Sequence, residues 1–263
     1  MKINIILDEH IDESYSLKST INAYENLDVE LNISIILLNS IGQKVKALFH
    51  PLTLANKMVE LDLKISKILS REGIFNDYRI HYFKGTRASK IAQNEIFQKA
   101  DLNITDKDTR ERNRLIRRVL SKIPTPVITT QSYIELDDIS QIAMRTTVGK
   151  NGKEAIREAS KISYLLNARL KIVGHNTAEG MSAGKFQTNL LRIQQSAAPN
   201  TNALYYLEGE NKKALQKFVE ASDPDLFVIH RKNYRDWKSL FKGRTETALR
   251  AKKNTPVLTI KTG

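Results

Sequence analysis

The chain has 263 residues, 41% hydrophobic and 27% charged, which is ordinary for a globular protein and sufficient for two domains. It contains no cysteine, which excludes a disulfide framework and a thiolate metal site. The formal net charge is +13, and it is uneven: residues 1–135 hold 20 Lys/Arg against 17 Asp/Glu, whereas residues 136–263 hold 22 against 12. Such a field favours anionic partners, whether phosphates, nucleic acid or an acidic protein.

The apolar stretch at Ile3–Leu7 is too short for a secretion signal. No run approaches the roughly 18–20 apolar residues of a bilayer span. A cytoplasmic protein with no membrane partner is therefore the expectation.

In chain order, residues 3–7 predict a strand, 12–26 a helix and 29–38 a β-rich run. Leu54, Met58, Leu61, Ile65 and Ile68/Leu69 recur at helical spacing and predict a long helix over 53–72. Tyr78 to Phe83 alternates as a strand. Thr86 and Ser89 are candidate caps for a helix running through Gln98. Residues 102–105 then predict a strand, 109–121 a basic helix and 126–129 a strand. A connector at 133–138 has neither glycine nor proline, so the two halves are expected to pack together. The second half repeats the order: strand 140–146, helix 152–167, strand 170–173, loop 174–184, helix 185–197, strand 203–207, helix 210–221, strand 225–229, helix 240–251 and strand 256–260. Strands alternating with helices predict parallel βαβ units, five strands to each doubly wound sheet.

The halves also repeat in sequence. Thr125-Pro126-Val127 returns as Thr255-Pro256-Val257, and Asp101-Leu102 returns as Asp225-Leu226. The first strand, Ile3 to Leu7, aligns with the stretch Ile139 to Met144. The expected domains are 1–132 and 138–263.

The run Asp225-Leu226-Phe227-Val228-Ile229, then Gly243 with Ala248-Leu249, then Thr255-Pro256-Val257-Leu258-Thr259-Ile260 resembles the C-terminal half of a universal stress protein domain. Gly152 to Ala159 followed by Asn167 to Val173 resembles that family's first helix and second strand. The likeness covers nearly all of the second half. In the first half it rests on the first strand, Asp101-Leu102 and the Thr-Pro-Val ending. It implies two tandem adenine nucleotide alpha hydrolase-like α/β domains packed as a pseudo-dimer.

Many members of that family bind ATP, through an acid ending the first strand and a glycine loop after the fourth. Glycines let backbone N–H groups approach phosphates. Both halves depart from this pattern. The first keeps the acid, Asp8, but its loop is about six residues short by comparison with the second half, and Lys107 to Arg112 holds no glycine. The second keeps the loop length, but His230 and Asn233 stand at the earlier glycine positions and Arg244 at the final Ser/Thr position, beside Gly243 and Thr245. The strand-end acid is replaced around Arg145-Thr146. Ordinary ATP binding is not expected. An anion such as ATP, AMP or another phosphate-bearing ligand could instead be held by His230, Arg231, Asn233, Gly243, Arg244 and Thr245, with Asp8 the candidate in the first half.

Other motifs are weaker. Gly174, Gly180 and Gly184-Lys185 miss the P-loop spacing, because Glu179 and Phe186 occupy required positions. No metal spacing occurs among the five histidines. Asp8-Glu9 with His10 and Asp12 reads first as a strand-to-helix turn and only second as a weak cation site. Arg110, Arg114, Arg117 and Arg118 are expected on neighbouring turns of one helix face, open to nucleic acid or an acidic partner. No catalytic constellation is present. The expected function is that of a non-enzymatic stress or regulatory binding protein, with a homodimer as a further option. The alternatives are a phosphate-binding member using the second half's basic loop, and a basic nucleic-acid-associated protein.

Overall fold

The structure, a computed structural model, describes residues 1–11, 14–17, 29–37, 51–71, 73–74, 78–84, 87–130, 132–133, 135–147, 150–175, 184, 188, 191, 201–207, 218–219, 221–231 and 255–261. The chain divides into two compact units, Met1–Glu135 and Leu136–Gly263. Most of the helices expected at 12–26, 185–197, 210–221 and 240–251, and most of the loop at 174–184, lie outside the described residues, as does Thr86.

Unit 1 contains β1 (Lys2–Leu7), β2 (Glu30–Leu37), α1 (Pro51–Arg71), β3 (Tyr78–Lys84), α2 (Ala88–Ala92), α3 (Glu95–Lys99), β4 (Leu102–Asp106), α4 (Lys107–Arg112), α5 (Arg114–Leu120) and β5 (Val127–Thr130). Its sheet is parallel throughout, in the order β3-β2-β1-β4-β5. Unit 2 contains β6 (Gln141–Thr147), α6 (Lys150–Leu165), β7 (Arg169–His175), β8 (Thr201–Leu207), β9 (Leu226–Arg231) and β10 (Val257–Lys261). Its parallel sheet has the same order, β8-β7-β6-β9-β10. The fold is thus two tandem doubly wound five-stranded α/β domains. The central strands are buried on both faces: Ile3, Asn4, Ile5 and Ile6 of β1, and Ile142, Ala143 and Met144 of β6, are all 0% exposed. That is what a parallel sheet covered on both sides requires.

Helix stops have local causes. Gly73 ends α1 in the left-handed region at φ 80°, and the Ile74 N–H reaches back to the Leu69 carbonyl at 3.0 Å. Asn167 does the same for α6 at φ 50°, with the Ala168 N–H on the Ser163 carbonyl at 2.8 Å. Both are helix endings in which a residue free to adopt positive φ turns the chain back onto its last carbonyls.

Three readings of the sequence are corrected. The helix expected through Gln98 is two short helices, because the Asn94 side chain accepts the Ile96 N–H and starts α3 afresh. Ser89 lies inside α2, whose N-cap position is Arg87, so it is not a cap. The basic helix over 109–121 is also two helices. Asn113 adopts an extended conformation, and its side-chain Oδ1 accepts the Leu115 and Ile116 N–H groups at 3.0 and 3.1 Å. Asparagine competes for backbone donors and so favours such starts over helix interiors.

Register also corrects the first-strand alignment. Leu102 pairs with Ile3, and Leu226 with Ile142, so Ile3 corresponds to Ile142 and not to Ile139. The other two landmarks keep their offsets: Asn103 pairs with Val127 as Phe227 pairs with Val257.

One contrast between the cores follows from these registers. In unit 1, the Asn4 amide donates to the Asn103 side chain at 2.9 Å and accepts from the Ser34 hydroxyl at 2.7 Å. Asn103 donates onward to the Thr125 hydroxyl at 2.6 Å, which donates to the Phe97 carbonyl. Asn4, Ser34 and Asn103 are fully buried. Their counterparts in unit 2 are Ala143, Val173 and Phe227, which form an apolar cluster with Phe218 and Val219.

Candidate functional site

In a doubly wound sheet, ligands bind beyond the carboxyl ends of the strands where the strand order reverses. In unit 1 that point lies between β1 and β4, and in unit 2 between β6 and β9. The two points can be compared residue by residue, because the registers match.

At the unit 1 point, Asp8 follows β1 and is 1% exposed, with its Oδ1 accepting the His10 N–H at 3.0 Å. Asp106 ends β4 and is 5% exposed. It accepts hydrogen bonds from the Ser14 hydroxyl at 2.8 Å, the Ser16 N–H at 2.7 Å and the Ser16 hydroxyl at 3.0 Å. Ser14 and Ser16 are themselves buried, and the Leu17 N–H donates to the Ser14 hydroxyl at 3.2 Å. Helix α4 begins at Lys107, directly after the strand. Asp106 therefore sits at the helix N-cap position, yet its carboxylate makes no cap bond and turns instead to the β1 loop. Burial raises the Asp106 pKa, opposed by the Ser14 hydroxyl and the Ser16 backbone and hydroxyl donors, while neighbouring Asp108 raises it further. Donors that could meet a phosphate are here directed at the protein's own carboxylate.

The sequence reading missed this cluster. The sequence shows the parts, two serines two residues apart after a strand-end acid and a second acid after the fourth strand, but nothing in it joins them.

At the unit 2 point, Ile229 pairs with Arg145, so the residue matching Asp106 is His230. His230 pairs with Ile260 and Arg231 with Lys261. Both are therefore the last residues of β9 itself, whereas the sequence reading placed them in the loop beyond a strand ending at 229. The longer strand follows from the apolar partner strand β10, which extends to Lys261. The residue matching Asp8 is Thr147, the last of β6. Asn233, Gly243, Arg244 and Thr245 lie outside the described residues.

The expected arginine face is corrected as well. Arg110 is 4% exposed and belongs to α4, while Arg114, Arg117 and Arg118 belong to α5. The break at Asn113 removes the common helix axis on which the spacing argument depended. Among the described residues no three His, Asp or Glu side chains gather at metal-binding distance. Asp12 lies outside them. No described helix is long and apolar enough to cross a membrane.

The sequence matches no protein-family model and no curated protein. Solved structures do resemble it. One is a universal stress protein from Archaeoglobus fulgidus DSM 4304, with a TM-score of 0.64 at 12% identity, covering 99% of this chain and 96% of that one. Another is a candidate universal stress protein from Pseudomonas aeruginosa UCBPP-PA14, with a TM-score of 0.58 at 14% identity, covering 99% and 93%. A third is the cytoplasmic domain of a prokaryotic cation chloride cotransporter, with a TM-score of 0.50 at 12% identity, covering 98% and 93%. The likeness is one of fold, and the fold is that of the universal stress proteins. The same fold in a transporter domain means that function must be argued from the site.

Proposed function

We propose that this chain is a non-enzymatic, cytoplasmic stress or regulatory protein that acts by binding, and that unit 1 takes no nucleotide at its switch point. One observation carries this reading. Asp106 closes β4, is buried with Ser14 and Ser16, and is followed at once by α4. A phosphate loop needs glycines and free backbone donors after the fourth strand. Here there is neither loop nor glycine, and the buried carboxyl group of Asp106 occupies the start of that segment.

A second reading is favoured by the unit 2 register. His230 stands where unit 1 has Asp106, and Arg231 follows it. A cationic strand end suits ATP, AMP or another phosphate-bearing anion, with Asn233, Gly243, Arg244 and Thr245 as further candidate ligands. Such a site would lie in unit 2 alone.

Isothermal titration of the full chain with magnesium ATP and with AMP tests both. The expected result is no saturable site below about millimolar ligand, or one weak site abolished by R231E. A micromolar site that survives R231E and disappears in D8A would overturn the proposal.

A further inference from the structure

Unit 1 segregates its charge. Residues 1–135 hold 20 Lys/Arg against 17 Asp/Glu, a net of only +3. Yet α2 and α5, which pack on each other through Ala88, Ile91, Ile116, Val119 and Leu120, carry six cations with their flanks, five of them exposed. Arg87 and Lys90 come from α2 and its N-cap. Arg114, Arg117 and Arg118 come from α5, and Lys122 from the turn after it. All are exposed except the half-buried Arg117. Neither helix carries a carboxylate. Among the described residues none of the six has an ion-pair partner, whereas Lys99 is engaged by Glu95 at 2.7 Å. Removing these six charges from the count leaves the rest of unit 1 net acidic.

In a nearly neutral unit, such a concentration of cations without a described ion-pair partner stands out. Arg114 and Arg118 lie one four-residue step apart, about 6 Å along the α5 axis. By contrast, the exposed Lys153, Arg157 and Lys161 of α6 have the same spacing but are interleaved with Glu154 and Glu158, the latter paired with Lys161 at 2.7 Å.

We infer that the α2–α5 face of unit 1 binds the phosphodiester backbone of duplex nucleic acid, without reading its sequence. The patch has no exposed large apolar or aromatic side chain, since those described lie at Tyr15, Val59, Leu63, Tyr133, Tyr164 and Leu191. A protein partner would need an apolar or aromatic anchor, single strands need aromatic platforms, and a membrane needs an inserting apolar face. A purely cationic surface, four of its six residues arginine, suits backbone phosphates.

The test is fluorescence anisotropy of the full chain with a labelled DNA duplex of about 20 base pairs, from about 50 to 200 mM salt. The expected result is salt-dependent binding. R114E/R118E should weaken it about tenfold or more and lower the salt slope by about two, and R114Q/R118Q/K122Q should weaken it likewise. K153E/R157E, with the same charge change as the first variant, should stay within about twofold of the unaltered chain. Circular dichroism establishes that each variant is folded. Equal losses in the α5 and α6 variants, unchanged binding in the α5 variants, no salt-dependent binding, or tighter binding of polyglutamate than of duplex would each overturn the inference.

Discussion

The carboxylate of Asp225 accepts the backbone N–H of Gln141 at 2.9 Å, fixing the start of β6 against the start of β9. The same oxygen accepts the N–H and hydroxyl of Ser140, both at 3.0 Å. In unit 1, Asp101 meets the Lys2 N–H at 2.7 Å. The Asp-Leu repeat is thus a device that sets the register of the two central strands. D225A is expected to lower stability by about 1–2 kcal/mol, and D101A by less, because it loses one bond and not three. Urea unfolding of each variant checks the order.

Asp106 gives a pH-dependent expectation. Its folded-state pKa is raised, chiefly by burial. A raised value means that the folded state holds the proton more tightly than the unfolded chain. That contribution to stability is complete below the ordinary aspartate pKa of about 4 and is lost as pH rises through the folded value. D106N cannot titrate, and its amide oxygen can still accept serine donors. The stability of D106N relative to the unaltered chain should therefore grow as pH rises from about 4 to about 7. Urea midpoints across that range measure it, and a constant difference would contradict the assignment. D106A, which leaves three buried donors without an acceptor, should lose about 2–4 kcal/mol at neutral pH.

The asparagine chain of unit 1 is expected to behave as a unit. N4A strands Ser34 and Asn103 in a buried setting, and a loss of about 2–3 kcal/mol is expected. Completing the change to the unit 2 residues, as N4A/S34V/N103F, replaces the whole network by apolar groups and should recover part of that loss. Comparing unfolding midpoints of the single and triple variants checks this. A triple variant no more stable than N4A would show that unit 1 cannot adopt the packing of unit 2.

Asn113 caps α5 through two backbone N–H groups while fully buried. N113A should cost about 1–2 kcal/mol, and N113D should be milder because aspartate is an equally good cap. Thermal melts of both variants test the point.

The sheet was legible in the sequence because strands buried on both faces leave aliphatic runs such as Ile35-Ile36-Leu37, and because the Asp-Leu and Thr-Pro-Val landmarks mark fixed registers. The faces of α1 and α6 were legible for the same reason: Leu61, Ile65 and Leu69 and Ala155, Ile156 and Ile162 are buried at the expected spacing. The helix breaks at Asn94 and Asn113 were not. Each depends on one side chain choosing a backbone donor over solvent, and periodicity does not register such a choice. Nor was the meeting of Asp106 with Ser14 and Ser16, since about 90 residues separate them and only the β1–β4 pairing brings them together. The basic loop of unit 2 was conspicuous by composition, but only His230 and Arg231 of it lie among the described residues.

If the Asp106 carboxyl group closes the unit 1 switch point, as proposed, any nucleotide binds unit 2 alone. Amide hydrogen exchange of the full chain, with and without millimolar magnesium ATP, tests it most directly. Peptides spanning 8–17 and 102–116 should exchange at the same rate in both conditions, with any protection confined to peptides from residue 226 onward. ATP-dependent protection of 8–17 together with 102–116 would mean that unit 1 takes the nucleotide at an open switch point.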